Sequence, residues 1–302
     1  MQQDWASKFE QEGHFGFDAE DCKTIPILRD LVAAKDTPAT TASRVAAFYE
    51  ARLKAGNNDI PYTFWVLVCE IIAVHGADKA IRERVTQLLL SLTQIIVLDA
   101  AGKPIVVPEL DNAYWSELPG YTLAFRDRMH CIPPTDIMAD DDEEWEDWQR
   151  RFTNGNVFQA EWLANVANAG PAREHASARN YAVWNLGGAL EPGIADTPLG
   201  YRRTEMWIPQ AAQWILIAGP CIWQLCRDNY RNDGSQAQER AQEDGAVSGY
   251  TFTGPEWFSV ERWQWWRTRF TYIAGLAQVT AEVREWATKA AARMQEIGHG
   301  DL

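Results

Sequence analysis

The sequence predicts an all-α protein, a single irregular multi-helix bundle of about eight helices with at most one small β-hairpin. Apolar residues recur at i, i+3, i+4 and i+7 through most of the chain, and proline or glycine separates these segments. Strands do not alternate with helical patterns, so a parallel sheet is not expected. Of the 302 residues, 46 % are hydrophobic and 23 % are charged, as in globular proteins. We expect an N-terminal arm or short helix over residues 1–36 and one helical domain over residues 37–302.

Three helices are predicted in the first third of that domain. Thr37-Pro38 predicts a helix start, because threonine caps free backbone N–H groups and proline fits the first helical position. Gly56 ends this helix. The next helix, Tyr62 to His75, is apolar nearly all round, which is typical of a central helix. The third carries an apolar stripe from Ile81 to Ile96.

One segment in the middle of the chain has β-character. Residues 95–98 and 105–107 flank a turn at residues 99–104, and we expect the two to pair as a small hairpin.

The remaining helices are predicted between proline and glycine positions. Asn154-Gly155-Asn156 is expected to interrupt or kink the helix that follows the acidic run, and Gly219-Pro220 to kink a later one. The predicted segments are about 112–129, from 140 onward, about 173–190, from Pro209 onward, and about 259–294.

The composition also limits the partners and the location of the protein. The formal net charge is −14, so nucleic acid and anionic membrane are poor partners. The five cysteines are odd in number and scattered, which favours a reducing compartment. No secretory signal is found, and the densest apolar run, Trp214 to Trp223, is about half of what a membrane span needs. We expect a cytoplasmic protein, and a homodimer is among the assemblies the sequence allows.

An acidic run suggests a magnesium site. Asp140, Asp141 and Glu144 have the D-D-x-x-E spacing with which terpene cyclases hold Mg²⁺ against a diphosphate. The second metal motif of those enzymes fails here, because Ser235 is one residue too close to Asp233 and Arg240 stands where glutamate is required. Acids that stabilise a helix N-terminus explain the run better.

Other cofactor signatures are absent from the sequence. Neither a phosphate-binding glycine motif nor a histidine and cysteine pattern with zinc spacing occurs. We therefore expect no cofactor and no metal. A single histidine, His130, is a candidate general acid or base.

Polar residues inside apolar helices form the most informative constellation. Glu191 and Arg262 are a plausible buried ion pair, because either charge alone would be costly to bury. The competing interpretation makes them directed polar contacts in an aromatic pocket, together with Asn154 and Asn156.

The same residues carry a resemblance to a family. Residues 148–160 contain the pattern W…N-x-N-x-F-x-A, and further matches follow in order at Tyr181 to Trp184, Ala189 to Glu191, Ala211 to Ile215 and Glu261 to Trp266. The set, which covers most of residues 40–275, resembles a fungal family labelled domain of unknown function 3632. This resemblance implies a helical fold and a fungal source, and no settled activity. Similar proteins found beside secondary-metabolite enzymes favour small-molecule chemistry.

We therefore predict a cofactor-independent enzyme of fungal secondary metabolism that holds an apolar aromatic or terpenoid substrate in a Trp-lined pocket. Cyclisation, dehydration or a pericyclic, Diels-Alder-type addition would suit such a site. Holding the substrate in reactive geometry can by itself lower much of the activation barrier of such reactions. The alternatives are a non-catalytic helical protein that binds a partner or ligand, and the Mg²⁺-dependent cyclase. Candidate catalytic residues are Glu191, His130 and Tyr181, and candidate substrate-binding residues are Trp184, Trp263, Trp266, Asn156, Asn154 and Arg262.

Overall fold

The computed structural model describes most of the chain and confirms the all-α fold. The described residues are 5–7, 9–10, 21–56, 60–107, 112–116, 118–129, 142–166, 173–194, 196–231, 252–255 and 257–299. They group into two compact units. Unit 1 contains residues 1–132, 150–158 and 172–174, and unit 2 contains residues 133–149, 159–171 and 175–302.

Unit 1 is built on five helices and one small sheet in its described part. A single 3-10 turn, Asp21–Thr24, leads into α1, so the segment expected to form an arm or a short helix contains a helix with buried Ile25, Leu28 and Leu31. Strands β1 and β2 pair antiparallel, with Val106 opposite Ala113. The elements are α1 (Ile25–Val32), α2 (Pro38–Lys54), α3 (Tyr62–His75), α4 (Lys79–Thr93), β1 (Val106–Val107), β2 (Asn112–Ala113) and α5 (Tyr121–Met129).

An aromatic cluster fills the interior of unit 1. The α3 residue Trp65 is fully buried, and its indole donates to the Pro119 carbonyl at 2.8 Å. Its ring meets Trp115 edge-on at 6.0 Å and Tyr121 edge-on at 5.6 Å, the arrangement that aromatic quadrupoles favour. The nearly all-apolar α3 is therefore central, as its sequence predicts.

The expected hairpin is partly correct. Leu98 bridges Pro104 across the turn, and the Ile105 N–H donates to the Val97 carbonyl at 2.9 Å. Residues 106–107 belong instead to β1 and pair with β2. The helix expected from about residue 112 begins at Tyr121, because β2 occupies its first positions and Gly120 turns the chain with a φ of +84°.

Five further helices complete the described chain. Helices α6 and α7 contribute residues to both units, and α8, α9 and α10 belong to unit 2. Within unit 2, α10 packs against both α8 and α9. The helices are α6 (Asp142–Val166), α7 (Arg173–Leu190), α8 (Pro198–Arg227), α9 (Val260–Ala274) and α10 (Ala281–His299).

Helix α6 is not interrupted at Asn154-Gly155-Asn156, contrary to the prediction. The Asn156 side chain donates to the Phe152 carbonyl one turn back, and the Asn154 side chain donates to the Ala73 carbonyl at 2.8 Å. Ala73 lies in the last turn of α3, where carbonyls lack helical partners. A Cβ at Gly155 would lie 3.0 Å from the Met129 side chain, so glycine allows α5 to approach closely. The motif joins three helices instead of breaking one.

Two other helix boundaries also differ from the prediction. Helix α8 starts at Pro198, where the Thr197 hydroxyl accepts from Gly200 N–H, and it runs through Pro209 and Gly219-Pro220. The last predicted helix is two helices, because the chain leaves α9 at Gly275 and Thr280 receives a bond from Val283 N–H at the start of α10.

Replacing Asn154 with alanine should lower the free energy of unfolding by about 1–3 kcal/mol, because a buried carbonyl at the end of α3 loses its donor. Urea denaturation measures this change. Asn165→Ala is the matched control, since Asn165 lies on the same helix and bonds Glu161 in an exposed position. Equal stability of the two variants would contradict the joining role of Asn154.

Candidate functional site

A buried ion pair lies where α9 meets the end of α7. The Arg262 Nε donates to Glu191 Oε1 at 2.5 Å, and its Nη2 donates to Oε2 at 2.9 Å. The Trp266 indole donates a third bond to Oε1 at 2.9 Å. Glu191 is 5 % exposed and Arg262 is 7 % exposed. The structure thus confirms the ion pair that the sequence suggested, with both carboxylate oxygens engaged.

The spacing of α9 explains why these groups meet. Arg262, Trp266 and Arg269 are four and three residues apart, so they share one helix face. Arg269 donates from Nε to the Leu190 carbonyl at 2.9 Å and from Nη2 to the Pro192 carbonyl at 3.1 Å. Cationic donors at the end of a helix satisfy its last carbonyls and its dipole. One face of α9 therefore holds the C-terminus of α7.

Glycine permits the close packing of this pair. A Cβ at Gly187 would lie 3.1 Å from Arg262 Nη2 and 3.4 Å from Glu191 Oε2. A side chain there would press on the guanidinium, so the small residue leaves room for the bidentate contact.

The pKa shifts near the pair result mainly from burial. Burial raises the pKa of the Cys226 thiol to about 12, so this neighbour of Arg262 stays a neutral thiol at physiological pH. Burial lowers the pKa of Arg269 from its ordinary value, and the phenol group of Tyr272 partly opposes this shift. Cys226 therefore does not supply a nucleophilic thiolate here.

Three other predicted residues make aromatic contacts outside this hydrogen-bond network. Tyr181 is buried and contacts the half-buried Trp184 edge-on, with ring centroids 5.7 Å apart. Trp263 is buried against Trp223, with ring centroids 5.3 Å apart.

Two predicted binding residues lie in unit 1. Asn154 and Asn156 use their side-chain N–H groups on backbone carbonyls, as described above. Both are nearly fully buried. His130, Asp140 and Asp141 lie outside the described residues.

A cleft on unit 2 was not predicted. It has a volume of about 430 Å³, is open to solvent, and lies along the face of α9 that does not hold the ion pair. We call it the α9 cleft. None of the predicted site residues is among its lining residues, which are Phe252, Thr253, Gly254, Glu261, Gln264, Trp265 and Thr268.

Two aromatic residues form the apolar wall of the α9 cleft. The rings of Phe252 and Trp265 are 6.1 Å apart and inclined by 41°. The Arg262 guanidinium lies 5.7 Å from the Phe252 ring centroid, which links this wall to the buried pair. The Trp265 Nε1 is buried and has no hydrogen-bond partner among the described residues. Such a donor usually finds an acceptor when it is buried.

The spacing of the cleft residues was visible in the sequence. Glu261, Gln264, Trp265 and Thr268 follow the i, i+3, i+4, i+7 pattern of one helix face. The residues of α9 that were predicted for the site are the buried ones, so these exposed or half-buried side chains were not among them.

Comparisons with known proteins identify the family of the chain. A family model described as a protein of unknown function, DUF3632, matches residues 65–270. The chain belongs to this family. No curated protein and no solved structure matches it. The resemblance drawn from the sequence is thus confirmed, and several of the quoted DUF3632 segments are those that join helices: Asn154 to Asn156, Glu191, and Arg262 to Trp266.

Two further features of this DUF3632 protein concern metals and membranes. Within the described ranges, no group of three His, Cys, Asp or Glu side chains is placed to hold a metal ion. The helices of the same ranges include none with the length and apolarity of a membrane span.

The Glu191–Arg262 pair should show strong coupling in a double-mutant cycle. Glu191→Leu removes the counter-ion of a buried guanidinium and leaves the Trp266 N–H without its acceptor, and we expect it to cost about 3–5 kcal/mol of unfolding free energy. Adding Arg262→Met should recover part of that loss. Urea denaturation of the two single variants and the double variant gives the coupling energy.

Lys54→Met is the control for this cycle, because it breaks an exposed i, i+4 pair with Glu50. Its expected cost is about 0.5 kcal/mol or less. Additive effects of the Glu191 and Arg262 substitutions would contradict the structural role of the pair.

Proposed function

We propose that this DUF3632 protein binds a planar, apolar small molecule in the α9 cleft and that Glu191 serves the fold instead of catalysis. The observation that carries the proposal is the aromatic wall of an open cleft, where the ring centroids of Phe252 and Trp265 lie 6.1 Å apart. A flat ring system that stacks on this wall would cover aromatic surface that is partly exposed to solvent.

The size and chemistry of the cleft suit a small ligand. A volume of about 430 Å³ lies within the usual range of ligand clefts. Phe252 and Trp265 offer aromatic surface, and Thr253, Gln264 and Thr268 offer a few polar groups. This combination of apolar wall and sparse polar contacts is typical of small-molecule sites.

The hydrogen bonds that Glu191 already makes favour a binding function over a catalytic one. A general acid or base needs a lone pair or proton within reach of the substrate. Both oxygens of Glu191 already accept hydrogen bonds from Arg262 or Trp266, and the carboxylate is buried. A role in proton transfer would require this pair to break.

Cofactor-independent conversion of the same ligand is the second candidate function. The Glu261 carboxylate favours it, because this group is exposed and lines the α9 cleft beside Trp265. A free carboxylate at an aromatic wall could accept a proton during a cyclisation or dehydration. The cytoplasmic location, the fungal source and the place in secondary metabolism remain part of this proposal.

A matched pair of ligands tests the proposed binding. We expect 2-ethylnaphthalene to bind about two- to tenfold more tightly than its saturated analogue 2-ethyldecalin, because a flat aromatic ring can stack on Phe252 and Trp265. Trp265→Leu should remove this preference while keeping an apolar wall. Equilibrium dialysis measures the affinities, and mass spectrometry of the recovered compounds separates binding from conversion.

Trp286→Leu is the control in that experiment, since Trp286 lies on α10 and does not line the cleft. An unchanged ligand mass is expected, whereas a changed mass would favour the second candidate. The proposal fails if neither compound binds, or if Trp265→Leu keeps the preference for the aromatic compound.

A further inference from the structure

We propose that the natural ligand of the α9 cleft carries a protonated amine beside its planar ring system, an inference that rests on the proposed binding function. The cleft combines an aromatic wall and one exposed carboxylate. These two features together select a class of ligand: an aromatic or polycyclic amine.

The carboxylate that recognises the amine is Glu261. This side chain is exposed, lines the cleft, and has no ion-pair or hydrogen-bond partner among the residues that the structure describes. Trp265 stands four positions further along α9, so the carboxylate and the indole lie on the same face of the helix. An amine held by Glu261 would place an attached ring against Trp265.

The neighbouring cation does not cancel this charge. Arg262 follows Glu261 in the chain and approaches the Phe252 ring, but its guanidinium is neutralised by the bidentate contact with Glu191. The cleft therefore keeps the negative charge of Glu261. The net charge of −14 on the whole chain adds to the attraction of a cation and opposes an anion.

An acid in the first turn of a helix also stabilises the helix dipole, which could explain Glu261 without any ligand. Glu282 provides the comparison, since it is an exposed acid in the first turn of α10 and does not line the cleft. A difference between these two glutamates in ligand binding cannot arise from the dipole alone.

Three naphthalene compounds that differ in charge test the inference. At pH 7 and low salt, 2-naphthylmethylamine should bind about two- to fivefold more tightly than 2-naphthylmethanol, and 2-naphthoate should bind most weakly. Glu261→Gln should make the amine and the alcohol equal, whereas Glu282→Gln should leave the preference unchanged. Added salt should reduce the preference of the unmodified protein, because the contact is exposed. Isothermal titration calorimetry gives each dissociation constant.

The outcomes separate this inference from the binding function on which it rests. If the alcohol binds as tightly as the amine, the amine class is wrong and the cleft remains a binding site. If Glu261→Gln keeps the amine preference, the recognition by Glu261 is wrong in the same way. If none of the three compounds binds, both the inference and the proposed function fail.

Discussion

The buried ion pair between Glu191 and Arg262 decides which polar groups of unit 2 are engaged in the fold and which are left to bind a ligand. Glu191 ends α7 with a negative charge at the terminus where the helix dipole is also negative, and burial makes that charge more costly. Arg262 and Trp266 compensate with three hydrogen bonds. Unit 1 contains a second contact of the same kind, in which Arg151 binds the buried Glu70 through two hydrogen bonds of 2.9 Å. In each unit, a buried acid joins segments that are far apart in the chain.

Because the Glu191 carboxylate is engaged in this way, the functional site is better sought on another surface of the protein. A carboxylate that is held by three donors has little freedom to exchange protons, and the tryptophans around it are part of the packing. The opposite face of α9 is different, since it has aromatic surface and an exposed carboxylate within one cleft. In our proposal, one face of this helix serves the fold and the other serves recognition.

The sequence predicted the helical elements well where local signals agreed with tertiary packing. Thr37 caps α2, as predicted, and the apolar α3 proved to be central. Prediction failed where distant contacts override local tendency. Asn154 finds its acceptor on another helix, and Pro209 lies inside a helix whose N-cap, Thr197, is twelve residues earlier. The Glu191–Arg262 pair followed from the cost of burying a lone charge, whereas the cleft required knowing that Phe252 lies beside Trp265.

A crystal structure determined under xenon pressure tests most directly whether the interior around the ion pair is committed to the fold, since xenon enters apolar cavities inside proteins. We predict that Glu191 and Arg262 are seen in bidentate contact and that no xenon atom lies against Trp266, which bonds the same carboxylate. A xenon atom beside the Trp266 ring, or a Glu191 carboxylate turned away from Arg262, would contradict this account.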